Sequence, residues 1–152
     1  MKSRIKNNLL ILLVVSFFGL SASAQQSKIN AENFSSNWTL LHEVDGIKMY
    51  VQKGDCKMGD VKTPFTYAFL KIENTTNVRK HLNFNINLYY ADGCAGCDNA
   101  NEEYVSISIE PNSSLSTDCS FNHGELALLV RNPLQSDYQD FKYLQLIDLK
   151  VD

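Results

Sequence analysis

Cys94 and Cys97 form a C-x-x-C pair, the spacing that thiol oxidoreductases use at the start of a helix. The helix dipole lowers the pKa of the first thiol in such enzymes and makes it reactive. Here the pair lies between two predicted strands, no helix follows it, and the flanking carboxylates of Asp92 and Asp98 would raise a thiol pKa instead. The pattern therefore favours a local disulfide that pins a long loop, rather than a redox centre.

Cys119 and His123 are the second candidate pair, because a cysteine shortly before a histidine in a β-sandwich resembles the copper-binding loop of cupredoxins. A blue-copper site needs a thiolate, two imidazoles and a weak axial ligand, and His81 could supply the second imidazole. However, no Met or Gln follows His123 in the axial position, and use of Cys119 would leave Cys56 without a partner. We therefore expect no metal and no cofactor, and a copper site of His81, Cys119 and His123 is the alternative.

A row of amide side chains marks a third candidate site. Asn83, Asn85, Asn87 and then Tyr89 alternate with apolar residues along one predicted strand, which places the four on its outward face. Amides and an aromatic ring on a flat sheet face could hold a sugar or a partner protein. Such a row is also a common way for a strand to face water without pairing with another sheet. No serine-hydrolase, zinc-protease or phosphate-loop motif accompanies it, so we expect no catalytic residues and no enzyme.

The N-terminal sequence predicts that the chain is exported. Three basic residues and no acidic residue stand within the first six positions, the apolar run from Leu9 to Leu20 follows, and small residues then reach Ala24. This is the order of a cleavable signal peptide, and the apolar run is too short for a bilayer, which needs about 20 residues. We expect a signal peptide at 1–24 and a location in the periplasm or outside the cell.

The remainder is long enough for one domain, which we place at 37–152 after a flexible lead-in at 25–36. Loss of three basic residues with the signal takes the formal net charge from −3 to −6. An acidic chain without basic clusters argues against nucleic acid and anionic membranes as partners. Four cysteines in an exported domain predict two disulfides. If Cys94 pairs with Cys97, then Cys56 pairs with Cys119, but crossed pairings stay open.

Hydrophobic alternation predicts an all-β fold with no amphipathic helix. Asp45-Gly46 between two alternating runs is typical of a hairpin with a type I′ turn. The mixed phase of Leu144 and Leu146 indicates a bulge or burial on both faces. We expect an antiparallel Greek-key sandwich of immunoglobulin-like type, with a closed barrel as the alternative. The eight predicted strands cover 38–44, 47–53, 65–73, 80–90, 103–110, 115–121, 125–131 and 141–151.

The order of these features resembles small exported bacterial β-sandwich proteins. The resemblance covers most of the chain after the signal and rests on Trp38, the hairpin Val44–Tyr50, Cys56, and the segments Asn87–Cys97, Pro111–Cys119 and Ile147–Val151. These motifs are structural. The resemblance therefore implies a β-sandwich fold and no particular activity.

The sequence thus leads to one main functional hypothesis and two alternatives. The main hypothesis is a non-catalytic, disulfide-stabilised module, monomeric or weakly dimeric, that binds a protein or glycan or serves as an accessory at the cell envelope. The first alternative is a copper-type metal-binding or thiol redox protein that uses Cys56, Cys119 and His123. The second is a carbohydrate-binding module that uses the amide row with Tyr89.

Overall fold

The computed structural model describes residues 27–95, 97, 104–134 and 140–152. The predicted signal peptide at 1–24 lies outside these residues. No helix in the described part of the chain is long and apolar enough to cross a membrane. Apart from two short 3₁₀ turns, the regular structure there consists of strands: β1 Lys28–Asn30, β2 Thr39–Val44, β3 Ile47–Cys56, β4 Phe65–Asn74, β5 Lys80–Tyr90, β6 Gly93–Ala95, β7 Tyr104–Ile109, β8 Ser113–Ser116, β9 Ala127–Arg131 and β10 Phe141–Val151.

The strands form two antiparallel sheets that pack together, which confirms the prediction of an all-β sandwich. Sheet A contains β1, β10 and β5 in that order, and the short strands β6 and β7 both pair with the remaining edge of β5. Sheet B contains β2, β3 and β4, and β8 and β9 share the remaining edge of β4 in the same way. Each sheet is therefore organised around one long central strand.

The core lies between the inner faces of β5 and β4. The alternation predicted for β5 is confirmed, because Leu82, Phe84 and Ile86 are completely buried. On the facing sheet, Leu70 and Ile72 of β4 are completely buried as well. Each such side chain contributes about 1.5–3 kcal/mol of transfer free energy, so these two strands carry a large share of the stability.

One turn and one bulge follow the backbone rules that the sequence indicated. Asp45 and Gly46 both have positive φ angles, 48° and 77°, as a type I′ turn between β2 and β3 requires. In β10 the register shifts between Ile147 and Lys150, and Asp148 lies there with a φ of 52°. The mixed phase of the last strand therefore comes from a β-bulge, which returns Leu149 and Val151 to the core side.

The structure differs from the sequence-based expectation most clearly at two places. Residues 28–30, inside the expected flexible lead-in, form β1 and pair with β10, and Ile29 is buried against the core. The strand predicted at 115–121 is instead Ser113–Ser116. Beyond Ser116 the chain turns, because the carboxylate of Asp118 accepts a hydrogen bond from the backbone N–H of Ser120 and Phe121 adopts a φ of 56°.

A buried amide joins the two sheets at one end of the sandwich. Asn74, the last residue of β4 in sheet B, is 2% exposed. Its Nδ2 donates to the carbonyl of Ile109 in β7 of sheet A at 3.2 Å, and also to the carbonyls of Val78 and Glu110. Its Oδ1 accepts from the backbone N–H of Thr76 at 3.0 Å and from the hydroxyl of that residue. One side chain therefore fixes the crossing from β4 to β5 and the crossing from β7 to β8.

A second polar contact joins the sheets at the opposite end. The hydroxyl of Tyr90, the last residue of β5, donates to the carbonyl of Val130 in β9 at 2.9 Å. Tyr90 is 7% exposed, so this bond is shielded from water. Contacts at both ends of β5 thus limit sliding of one sheet over the other.

Replacement of the bridging amide tests its role in stability. We expect Asn74→Ala to lower the free energy of unfolding by about 3 kcal/mol, because it leaves buried carbonyl groups without a donor. The matched control Asn77→Ala, at an exposed position three residues further on, should change it by less than about 0.5 kcal/mol. Urea unfolding followed by far-UV circular dichroism measures both. Equal stabilities of the two variants would show that Asn74 does not hold the sheets together.

Candidate functional site

All four cysteines form disulfides, as predicted, and the pairing is not crossed. Cys56 at the end of β3 is bonded to Cys119, with the Cα atoms 5.5 Å apart. Cys94 in β6 is bonded to Cys97, with the Cα atoms 5.7 Å apart. The local bridge therefore closes the turn next to β5, and the long-range bridge ties the 117–122 turn to sheet B.

The structure does not bring the candidate copper ligands together. The Sγ of Cys119 is bonded to the Sγ of Cys56, so no thiolate is present in this form. The imidazole of His81 lies on sheet A, where it contacts the hydroxyls of Ser108 and Ser106 at 3.0 and 3.2 Å. His123 pairs instead with Glu125 at 3.5 Å. Within the described ranges, no group of three or more His, Cys, Asp or Glu side chains is placed to hold a metal ion.

The predicted amide row lies on the outer side of sheet A, and two of its three amides are bonded to residues outside the row. The hydroxyl of Tyr104 donates to Oδ1 of Asn83 at 2.7 Å. Asn87 is buried, and its Nδ2 donates to the Sγ of Cys97 at 3.2 Å. The Oδ1 of Asn85 is buried and has no hydrogen-bond partner among the described residues. The row is thus a rigid polar surface rather than a set of free side chains.

Two stacked tyrosines lie at one end of this row. The rings of Tyr89 in β5 and Tyr143 in β10 lie 4.2 Å apart at an interplanar angle of 18°. The Nζ of Lys28 in β1 lies 3.5 Å above the ring of Tyr143, so a cation–π contact covers its other face. We call this surface the tyrosine face. It consists of Lys28, Asn83, Asn85, Asn87, Tyr89, Tyr104 and Tyr143.

A second site, which the sequence-based reasoning missed, is a cleft of about 420 Å³ on the other sheet. One wall is the segment that precedes β2, with Trp38, and the other is the turn that follows β8. We call it the Trp38 cleft. Its lining residues include Trp38, Gln52, Thr117, Asp118, Ser120 and Asn122.

Hydrogen bonds to β3 and a cation–π contact hold the first wall. The backbone N–H of Lys53 donates to the carbonyl of Ser35 at 2.7 Å, and Nε2 of Gln52 donates to the carbonyl of Ser36. The Nζ of Lys71 lies 5.4 Å from the centre of the Trp38 ring. The wall is therefore attached to sheet B at three successive points.

A partly buried ion pair keeps that lysine in place. The Nζ of Lys71 lies 2.8 Å from Oε1 of Glu73 and 4.3 Å from the centre of the Tyr50 ring. The bond from Lys71 holds the pKa of Glu73 below its usual value, so the carboxylate stays charged. Burial, followed by the bond to Glu73, raises the pKa of Tyr50, so its hydroxyl stays protonated. The charge of the lysine is thus neutralised beside Trp38 rather than left free.

The disulfide and a strained residue hold the second wall. Cys119 ties the turn to the end of β3, and the carboxylate of Asp118 accepts the N–H of Ser120 at 2.7 Å. Phe121 has a φ of 56°, an unfavourable conformation for a bulky residue. Its ring lies edge-on to Tyr67 at 5.0 Å and to Phe69 at 6.3 Å. These aromatic contacts offset the backbone strain and fix the direction in which the turn leaves the sheet.

Comparison of the chain with protein-family models, with curated proteins and with solved structures finds no match.

The two disulfides should differ in their contribution to stability, because they close loops of different length. The sequence separations are 63 residues for Cys56–Cys119 and 3 for Cys94–Cys97. The loop-closure model predicts a loss of about 4 kcal/mol for the double variant Cys56→Ala/Cys119→Ala and about 2 kcal/mol for Cys94→Ala/Cys97→Ala. Guanidinium unfolding measures both. A larger loss of unfolding free energy for the Cys94–Cys97 pair would contradict the loop-closure explanation.

Proposed function

We propose that this chain is an exported, non-catalytic module that binds a protein partner at the cell envelope through the tyrosine face. The stacked pair of Tyr89 and Tyr143 beneath Lys28 is the observation that carries this proposal. The two rings contact each other closely and a lysine fixes one of them. Ordering of these side chains therefore costs little on binding, which is the property that makes tyrosine frequent in protein interfaces.

The ligand class follows from which parts of the rings are covered. A sugar binds an aromatic residue through the ring face, but Tyr89 and Lys28 cover both faces of Tyr143, and Tyr143 covers one face of Tyr89. The amide of Asn87 is bonded to Cys97, and the carbonyl of Asn83 is bonded to Tyr104. Ring edges, hydroxyls and a lysine ammonium on a broad sheet surface suit the flat, polar contact of a protein better than a single sugar ring.

The proposal that the chain is exported is supported by its disulfides. Two disulfides in a β-sandwich are typical of proteins that work in an oxidising compartment. The proposal includes the predicted immunoglobulin-like Greek-key arrangement of the strands. Crossings of the chain between the sheets at β1–β2, β4–β5, β7–β8 and β9–β10 support it. The signal peptide at 1–24 remains a prediction.

Photo-crosslinking in the native host tests the tyrosine face. A benzophenone amino acid replaces Tyr104, which lies on this face with 51% exposure, and the matched control carries it at Val78, in the turn after β4, with 52% exposure. We expect one discrete adduct with another protein from position 104 and none from position 78. Because the two positions are similarly exposed, non-specific crosslinking should be equally frequent at both.

A second variant links the adduct to the stacked pair. In the Tyr104 probe protein, Tyr89→Ser/Tyr143→Ser should reduce the adduct at least tenfold, about 1.4 kcal/mol of binding free energy. An adduct equally strong from both positions, or one insensitive to the loss of the two rings, would contradict binding through this face. Absence of any adduct from position 104 would contradict it as well.

A further inference from the structure

The Trp38 cleft lies on sheet B, away from the tyrosine face, and nothing in the proposed protein-binding role uses it. We infer that this cleft binds a neutral saccharide, with the indole of Trp38 against a sugar ring and the side chains of Asp118 and Asn122 bonded to its hydroxyls. This inference does not rest on the proposed function, because the two surfaces share no residue.

The composition of the lining carries the choice of ligand. The cleft combines one indole with a carboxylate, two amides and several hydroxyls, contributed by Asp118, Gln52, Asn122, Ser116, Thr117 and Ser120. Indole faces interact with the C–H groups of a sugar ring, and carboxylates and amides exchange hydrogen bonds with vicinal hydroxyls. A volume of about 420 Å³ is within the usual range of small-molecule sites.

The charge of the lining argues against anionic ligands. Among the described residues that line the cleft, Asp118 is the one with a charged side chain, and none is a lysine or an arginine. Hydrogen bonds from the side chain and backbone of Ser120 hold the pKa of Asp118 below its usual value, so this residue is a carboxylate at neutral pH. The nearby cation, Lys71, is paired with Glu73 at 2.8 Å. A phosphate or sulfate group would therefore meet repulsion without a compensating partner.

An unsatisfied hydroxyl provides independent support for a polar ligand. Thr117 is 5% exposed, it lines the cleft, and its Oγ1 has no hydrogen-bond partner among the described residues. A buried hydroxyl without a partner costs about 1–3 kcal/mol. The lining thus contains a hydroxyl whose hydrogen-bonding capacity no described residue uses.

Both walls of the cleft are fixed before a ligand arrives. Bonds from β3 hold the segment that carries Trp38, and the Cys56–Cys119 disulfide holds the turn that carries Asp118 and Asn122. A site of this kind loses little conformational entropy on binding.

The intrinsic fluorescence of Trp38 is a direct probe, because it is the only tryptophan of the chain. The secreted full-length product is first tested on a glycan array, and the strongest soluble neutral disaccharide is then titrated while Trp38 emission is recorded. We expect saturable binding with a shift in the emission of Trp38, and no binding of sulfated or phosphorylated glycans. Failure of every neutral glycan to bind would overturn the inference.

Variants at the rim separate a specific site from general adhesion. Asn122 is exposed, so Asn122→Ala should leave the fold intact and weaken binding about tenfold, or about 1.4 kcal/mol. Trp38→Ala should abolish binding in isothermal titration. The matched control Asn77→Ala removes an exposed amide outside the cleft and should bind like the parent chain. Glycan binding that persists in Asn122→Ala, or that disappears only with Tyr89→Ser/Tyr143→Ser, would place the sugar elsewhere and contradict the assignment.

Discussion

The buried amide of Asn74 is the interaction on which the relation between the two sheets depends. A sandwich core of aliphatic side chains is cohesive but permits many small offsets between its layers, because apolar contacts have little directional preference. Hydrogen bonds are directional. Asn74 donates to the carbonyl of Ile109 on the opposite sheet and to that of Glu110 just after it, and it also accepts from the turn that follows its own strand. With Tyr90 bonded to Val130 at the other end, the offset between the sheets is fixed at two distant points.

The two proposed binding surfaces are held rigid in different ways. The tyrosine face lies on strands β1, β5, β7 and β10, so its side chains keep the spacing of a regular sheet. The Trp38 cleft instead lies between two loops, and loops need separate anchors. The disulfide of Cys119 and the aromatic contacts of Phe121 serve that purpose on one side, and the bonds from Lys53 and Gln52 serve it on the other.

Much of the fold is predictable from the sequence, because local rules decide it. Strict alternation placed Leu82, Phe84 and Ile86 in the core, and Asp45-Gly46 specified its turn. Strand β1 was not predictable in this way, since a three-residue strand has too short a pattern and only its pairing with β10 stabilises it. The prediction of a strand at 115–121 was wrong for a similar reason. The last apolar residue of this segment, Phe121, packs on Tyr67 and Phe69 from a turn rather than from a strand.

The candidate sites also combine features that local sequence patterns predict with features that only tertiary contacts create. The amide row followed from alternation along one strand, whereas its contacts with Cys97, Tyr104 and Tyr143 involve other strands or the bridge next to them. The Trp38 cleft joins residues about 80 positions apart in sequence, so no motif describes it. The pairing of Cys56 with Cys119 was the one signal that could have placed the 117–122 turn beside sheet B, but the sequence left that pairing open.

The central claim is that the two sheets form one rigid unit, and native-state hydrogen exchange tests it most directly. The account predicts that the slowest amides of β4 in sheet B and of β5 in sheet A exchange with the same free energy, because the sheets open together. Different free energies for the two central strands would mean that one sheet opens while the other stays folded. That result would contradict the role of Asn74 and the rigidity that both binding surfaces require.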